Sequence, residues 1–500
     1  MTRRFHILLV LIIQLIITSC SGYGLIYDDL RLETLELEQQ CLKQPDSECL
    51  LATASAITAT MSDDVAHAEA LTVIAKTRFQ TNDIQAALNT IRDIRLVVLQ
   101  FNALFELSEI AKQQQLSNRE LLTLANRITS EIEQSADKIA ALILNAILHY
   151  DNQQPELAKQ LIQQAIVLAT TDPKKSIDRH FYNRVLPKIM QFETVSVIKA
   201  LIALQASPAL QLSAQAEYSI LLKDQNAELA RQLFEQVLAT WHNMKDPQQH
   251  KQAQAAIVKM LVHFDELKQA RNIRQQQPDV IAKVRASSVI IQHLTINASE
   301  QNITEAKQEL VWLLQNVRQR PIPDIPVNAL PRVKQQAAQA DFDLASLRAQ
   351  AIADVALGLA KMNKLKEAVH FAEQIQTIMG HIQGYTLTKL AIRYAQQDDI
   401  NSALLTMESI HRPVNRAACL AEISAQVAKL GDLNRAIAIA SRINRRSWRD
   451  IAYSEISILQ ARQNELGDAI KTLESIQRSY SAVYAMTGIA RTLQASQNKR

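Results

Sequence analysis

Between residues 348 and 500 one pattern recurs in step, and few folds accommodate it. Alanine stands at Ala368, Ala403, Ala436 and Ala469, at intervals of 35, 33 and 33 residues, and isoleucine follows seven residues later at Ile375, Ile410, Ile443 and Ile476. Val355, Leu390, Ile423 and Ile456 lie thirteen residues before each alanine, and Ala360, Ala395, Ala428 and Ala461 lie eight before it. A period of this length with helical spacing inside it marks stacked helical hairpins, each burying its apolar face against its neighbours. The reading is all-α, an α-solenoid of antiparallel helical hairpins in two arrays.

Glycine use narrows the chemistry. The 500 residues contain eight glycines, none of them between Ile26 and Leu357. Phosphate-cradling loops, dinucleotide fingerprints and nucleophile elbows all need glycine for positive φ or close backbone approach. The chain has no His-Glu-x-x-His or Cys-x-x-Cys motif, its eleven histidines are scattered singly, and no cofactor or metal is expected. Net charge is +4 overall. Residues 348–500 carry 20 Lys and Arg against 13 Asp and Glu, a net of +7, which leaves −3 for the rest. A balance this small argues against nucleic acid and directs any anionic partner to the C-terminal array.

At the N-terminus Arg3 and Arg4 precede an apolar run over 7–17 that is too short to span a bilayer and suits a secretory signal. The run ends in Ile17-Thr18-Ser19-Cys20, which resembles the lipobox of bacterial lipoproteins. That resemblance implies cleavage after residue 19, a diacylglyceryl thioether and an amide-linked acyl chain such as palmitate on Cys20, and, with Ser21 rather than Asp next, residence at the outer membrane facing the periplasm. Residues 20–27 would be the tether, placing the C-terminal array about 480 residues from the anchor. The alternative is an ordinary cleaved signal with a chance cysteine.

Cys41 and Cys49 flank a turn-like segment with Pro45 and Asp46, inside an N-terminal helical hairpin over 28–63. A disulfide across its mouth suits an oxidising compartment; a two-cysteine metal site is the alternative, without a nearby histidine. Cys419, between Ala418 and Leu420, reads as a buried thiol.

From residue 64 to 318 the repeat is degenerate. Asp83, Ala87 and Ile94 reproduce the spacing of Asp432, Ala436 and Ile443, and Leu122, Ala158, Val195, Ala230, Ala270 and Ala306 can be set at the same anchor. Pro321, Pro323, Pro326 and Pro331 then interrupt the series, and a run of prolines cannot continue a helix. Residues 319–331 are read as a semi-rigid linker, with a segment folded back into a groove as the alternative. Residues 332–500 form the regular array, ending in a lone helix from 482 that caps its apolar edge.

Small residues at Ala356, Ala391, Ser424 and Ser457 lie twelve before each anchor alanine, where bulk would push two helices apart. Larger apolar residues stand one turn earlier, at Ile352, Leu387, Leu420 and Tyr453. This pairing resembles the tetratricopeptide repeat, best over 348–481, although the tryptophan and closing proline of that family are missing; Sel1-like repeats are the related alternative. The resemblance implies a TPR-like superhelix that binds protein or peptide segments.

One set of residues repeats without an evident packing need. Arg412, Arg445 and Arg478 each follow the ladder isoleucine by two, and Arg416 and Arg449 keep the same interval of 33, joined by Arg446. They are expected to form a partner-binding edge for an acidic protein segment, anionic lipid or lipopolysaccharide; the alternative is that they complement helix C-termini. Trp448 among them is either an anchor or a packing residue. The functional expectation is a membrane-anchored periplasmic lipoprotein, not an enzyme, that serves as an interaction scaffold or adaptor in an envelope assembly. The alternative is an accessory of cell-wall or envelope-lipid metabolism that binds anionic glycan or lipid.

Overall fold

The computed structural model describes residues 36–133, 135–171, 185–191, 193, 195–203, 207–277, 279–318 and 331–497. Residues 1–35, with Cys20 and the tether, and most of the proline-rich stretch lie outside them. The described residues form helices and short connections, with no β-strand among them, and the helices pair into a repeated antiparallel hairpin. The fold is an all-α solenoid.

One hairpin explains the rest. Arg446–Arg462 runs to Asn464, which adopts φ 64° and turns the chain, and Leu466–Glu474 returns. The N–H of Glu465 bonds the carbonyl of Gln460 at 2.9 Å, so the left-handed residue also satisfies a carbonyl that the helix end would leave open. Asn82, Asp265, Asn363 and Asp398 hold the same conformation in their hairpins. Asn and Asp tolerate it better than other side chains do, so the turns need glycine only at Gly431. Asp83, Asp399 and Asp432 then cap the second helices through the backbone N–H three residues on, at 3.3, 3.0 and 3.0 Å.

The anchor of the sequence pattern is the fourth residue of each second helix, where the two helices of the hairpin touch. Ala87, Ala158, Ala230, Ala270, Ala368, Ala403, Ala436 and Ala469 are wholly buried there. The Ser424 hydroxyl donates to the carbonyl of Ala436 at 2.8 Å, a contact that the pairing of small residues twelve apart requires. Ile94, Ile375, Ile410, Ile443 and Ile476 are buried behind the turn. Two assignments shift. Val195 opens the helix Val195–Ala203 and Ala306 is the seventh residue of Glu300–Arg318, so Ile198 and Ile303 stand at the anchor. Residues three apart share a helical face, and spacing alone did not separate one turn from the next.

The chain forms two compact units, residues 1–204 with 420–500 and residues 205–419. In the second unit the first helices stack as Pro208–Leu222, Pro247–His263, Val280–Ile296, Pro331–Lys361 and Gly380–Gln396. Pro331–Lys361 packs directly on Val280–Ile296 although the proline-rich residues fall between them in sequence. The prolines therefore do not divide two arrays; helices on both sides share one core. Pro331 itself begins a helix, since the first helical position tolerates a missing N–H. A Cβ on Gly358 would lie 3.1 Å from Cβ and Cγ2 of Thr295, tighter than ordinary contact, so Pro331–Lys361 and Val280–Ile296 pack closely here.

The first unit is built from both ends of the chain. Ser479–Gln497 does not cap an exposed edge: it packs on Ser47–Thr58 and on Asp64–Gln80. The pair formed by Ser479–Gln497 and Ser47–Thr58 is itself a repeat hairpin without a covalent turn. Leu50, wholly buried, is the fourth residue of Ser47–Thr58; Asp46 caps it through the N–H of Cys49 at 2.8 Å; Ile57 follows seven after Leu50. Opposite stand Ile489 and Ala490, 33 residues after Ile456 and Ser457 and equally buried. Leu50, Ala54, Ile57, Met61, Ala66, Ile74, Met486, Ile489 and Ala490 belong to one apolar cluster with Leu473 and Ile476. At its rim Ser47 Oγ bonds Gln494 Oε1 at 3.2 Å and Arg491 bonds Gln80 Oε1 at 3.3 Å.

Leu50→Ala is expected to destabilise this unit by about 2–5 kcal/mol, the usual result of emptying a buried leucine site. A urea-unfolding midpoint equal to that of the parent would contradict the assignment. A second outcome concerns Asp354, whose Oδ2 is buried without a hydrogen-bond partner while Gln350 donates to Oδ1 at 2.9 Å. Burial pushes its pKa up from 3.8 to about 6, against the opposing pull of Gln350 and Lys361. The folded chain thus holds a proton that the unfolded chain releases, and the associated stability, full below the unfolded value, is lost as pH rises through about 6. Asp354→Asn should raise the thermal midpoint at neutral pH, with the gain vanishing on acidification toward the unfolded value.

Candidate functional site

The arginines expected to form an edge occupy hairpin junctions. Arg412 immediately precedes Pro413–Lys429, Arg445 is the N-cap of Arg446–Arg462, and Arg478 precedes Ser479–Gln497. All three therefore begin first helices, where a cation faces the positive end of the macrodipole. Complementing a helix C-terminus does not explain them; among the turn arginines only Arg442, the C-cap of Leu433–Ser441, fits that account. Arg412 and Arg416 fall in the second unit and are exposed. Arg445, Arg446, Arg449 and Arg478 fall in the first.

Within the first unit the set divides by environment. Arg445 and Arg446 are exposed, whereas Arg449 and Arg478 are half-buried beside Asp450, which is wholly buried. Asp450 Oδ2 accepts the backbone N–H of Gln477 at 3.0 Å and of Arg478 at 2.9 Å, fixing the start of the next first helix from the preceding one. Burial raises its pKa, and these two N–H groups with the charges of Arg449 and Arg478 oppose the rise. Two of the arginines thus compensate a buried carboxylate. Trp448 is 5 % exposed, so its ring is no surface anchor. In the second unit Gln383 does the work of Asp450, accepting the N–H of His411 at 3.2 Å. The sequence carried a signal for neither residue, because Asp and Gln at a helix start also fit an exposed face.

Cys41 and Cys49 form a disulfide with Cα atoms 5.6 Å apart, joining Glu36–Lys43 to Ser47–Thr58 beside the apolar cluster. Cys419 is a buried free thiol. Burial lowers the pKa values of His67, His149, His250, His293 and His381, favouring neutral rings. Among the described residues no group of three His, Cys, Asp or Glu is placed to hold a metal, and no helix is long and apolar enough to cross a membrane. A buried ion pair, Arg274 with Glu309, is stacked on Trp312 at 3.6 Å and joins neighbouring second helices; charges so enclosed act within the core. Sequence reading missed a polar cleft near His149, whose residues are distant in number and joined by hairpin stacking.

Asp450→Ala is expected to destabilise the first unit by about 2–3 kcal/mol, since two backbone N–H groups lose their acceptor, while Asp450→Asn keeps an oxygen there and costs less. Equal losses in the two variants would contradict the bridging role.

No family model matches the chain, and no curated protein matches it. Among solved structures, Ton1535 from Thermococcus onnurineus NA1 is 14 % identical over 83 % of this chain and 97 % of that chain, with a TM-score of 0.24. A circular tandem repeat protein with novel repeat topology is 13 % identical over 91 % of this chain and 99 % of that chain, with a TM-score of 0.19. At such scores the description of the fold rests on the chain's own helices.

Proposed function

We propose that the chain is a tetratricopeptide-like scaffold, exported and held by lipid on Cys20 at the periplasmic face of the bacterial outer membrane, where it binds protein or peptide segments of an envelope assembly without catalysing a reaction. The observation that carries the binding role is a division of labour within the repeat. Alanine and isoleucine supply the core, while Arg412, Arg416, Arg445 and Arg446 stay exposed and form no ion pair among the described residues. Guanidinium groups left open at hairpin junctions are suited to carboxylate partners, which they engage through paired hydrogen bonds. The Cys41–Cys49 bridge supports export, because such bonds persist in oxidising compartments.

A second reading, that the same arginines meet anionic lipid or lipopolysaccharide, draws support from the chain ends. Ser479–Gln497 packs on Ser47–Thr58, a helix that begins 27 residues after Cys20, so the C-terminal helix is held against the first core helix that follows the proposed anchor. The two readings separate experimentally.

Charge reversal of Arg412, Arg445 and Arg446 should abolish protein neighbours captured by crosslinking in intact cells while the far-UV spectrum stays unchanged; undiminished capture sinks the scaffold reading. Retained capture of protein with lost binding to anionic vesicles would favour the lipid reading. Cys20→Ala should abolish incorporation of a palmitate analogue and release the protein from membranes. A membrane-bound, unlabelled parent would show that the anchor is something else.

A further inference from the structure

A polar cleft of about 790 Å³ opens in the first unit between two neighbouring hairpin turns. One turn joins Val97–Gln114 to Arg119–Glu131, and the other joins Ser135–Asp151 to Pro155–Thr171. The first departs from the pattern of its relatives. After the left-handed residue Gln115, two extra residues intervene before the N-cap, whereas in the regular hairpins the cap follows at once. The cap itself, Asn118, makes no side-chain bond to its own helix. Its amide reaches across to Asn152 of the neighbouring turn, which donates to Ser108 at 3.1 Å. That diversion separates the turn from its helix and leaves the space.

Amides from both turns stand in the wall, among Leu122, Thr123 and Leu157. His149, 2 % exposed, sits between Gln154 Oε1 at 2.7 Å and Asn126 Oδ1 at 3.0 Å, and Asn126 also accepts from Asn145 at 2.9 Å. Asn118 Oδ1 is shut from solvent and has no hydrogen-bond partner. That oxygen is closed to a ligand, whereas Asn126 and Gln154 are exposed, and amides that both give and accept hydrogen bonds match hydroxyl groups, which do the same. The charge is positive at the rim. Arg119 is exposed with no ion pair among the described residues, Lys112 shares only an exposed contact with Glu109 at 2.9 Å, and Asp151 is answered by Lys188 at 3.6 Å. The volume lies in the range of roughly 300–1,000 Å³ usual for small-molecule sites.

We propose that this cleft binds a small polyhydroxylated carboxylic acid of sugar size, its carboxylate on Arg119 and Lys112 and its hydroxyls on the exposed amides of Asn126 and Gln154. This site is independent of the arginines at the first-helix starts and stands or falls without them. The lining holds no Phe, Tyr or Trp, so recognition is by hydrogen bonding and charge and not by stacking on a sugar face.

Titration of the full chain with glucuronate, glucose and propionate, followed by calorimetry, tests it. Saturable binding is expected for glucuronate alone, because glucose lacks the charge and propionate lacks the hydroxyls. Arg119→Glu, an exposed change that leaves the fold intact, should weaken glucuronate binding by about tenfold or more and Gln154→Leu by several-fold, in line with the loss of a charge-assisted and of a neutral hydrogen bond. Absence of saturable glucuronate binding, equal binding of glucose or propionate, or undiminished binding in Arg119→Glu would overturn the proposal.

Discussion

The contact of Ser479–Gln497 with Ser47–Thr58 and Asp64–Gln80 makes one body of residues from opposite ends of the chain. Each hairpin in a repeat fold buries only part of its apolar surface against itself and needs neighbours for the remainder, so a free end is costly. A polar cap is one solution. This chain uses another, in which the last first helix finds its second helix at the beginning of the sequence. The composite pair keeps the features of the regular hairpins: Ile489 and Ala490 at the places of Ile456 and Ser457, an acidic cap at Asp46 and an isoleucine seven residues past the anchor. Its anchor is leucine, as at Leu122, and it shares one apolar cluster with Ala490.

That arrangement gives the N-terminal segment its role. The disulfide between Cys41 and Cys49 ties Glu36–Lys43 to the helix that closes the composite pair. Cys41 is 5 % exposed and belongs to the same apolar cluster as Ile489 and Ala490. A crosslink across so short a loop contributes about 2–3 kcal/mol at most by limiting the unfolded chain. Placed here, it restrains the segment between the proposed lipid anchor and the first core helix, next to the contact that holds both chain ends.

The repeat itself was legible because alanine at the closest approach of two helices cannot be replaced freely, and the residues at 368, 403, 436 and 469 recur for that reason. The ladder of isoleucines was legible on the same ground. The pairing of the chain ends was not legible, although Asp46, Leu50 and Ile57 carry the spacing of Asp432, Ala436 and Ile443, because the partner helix Ser479–Gln497 lies at the other end of the sequence and spacing relates only residues close in number. Pro321, Pro323 and Pro326 suggested a boundary, yet helices on both sides share a core, since a chain leaves a helix without leaving its stack. Trp448 and Arg478 looked alike as turn residues; only their surroundings, burial for one and the buried carboxylate of Asp450 for the other, tell them apart from the exposed Arg445 and Arg446. The cleft at Asn118 depends on where one amide points, which spacing does not encode.

Hydrogen exchange on the full chain and on a chain ending at residue 478 tests the closure most directly. Removal of Ser479–Gln497 should abolish the slow exchange of backbone amides in Ser47–Thr58 and Asp64–Gln80, while the hairpin Gly380–Gln396 with Ile400–Glu408 keeps its protection. Unchanged protection across 47–80 in the shortened chain would show that the N-terminal helices fold without the C-terminal one, and would contradict the account.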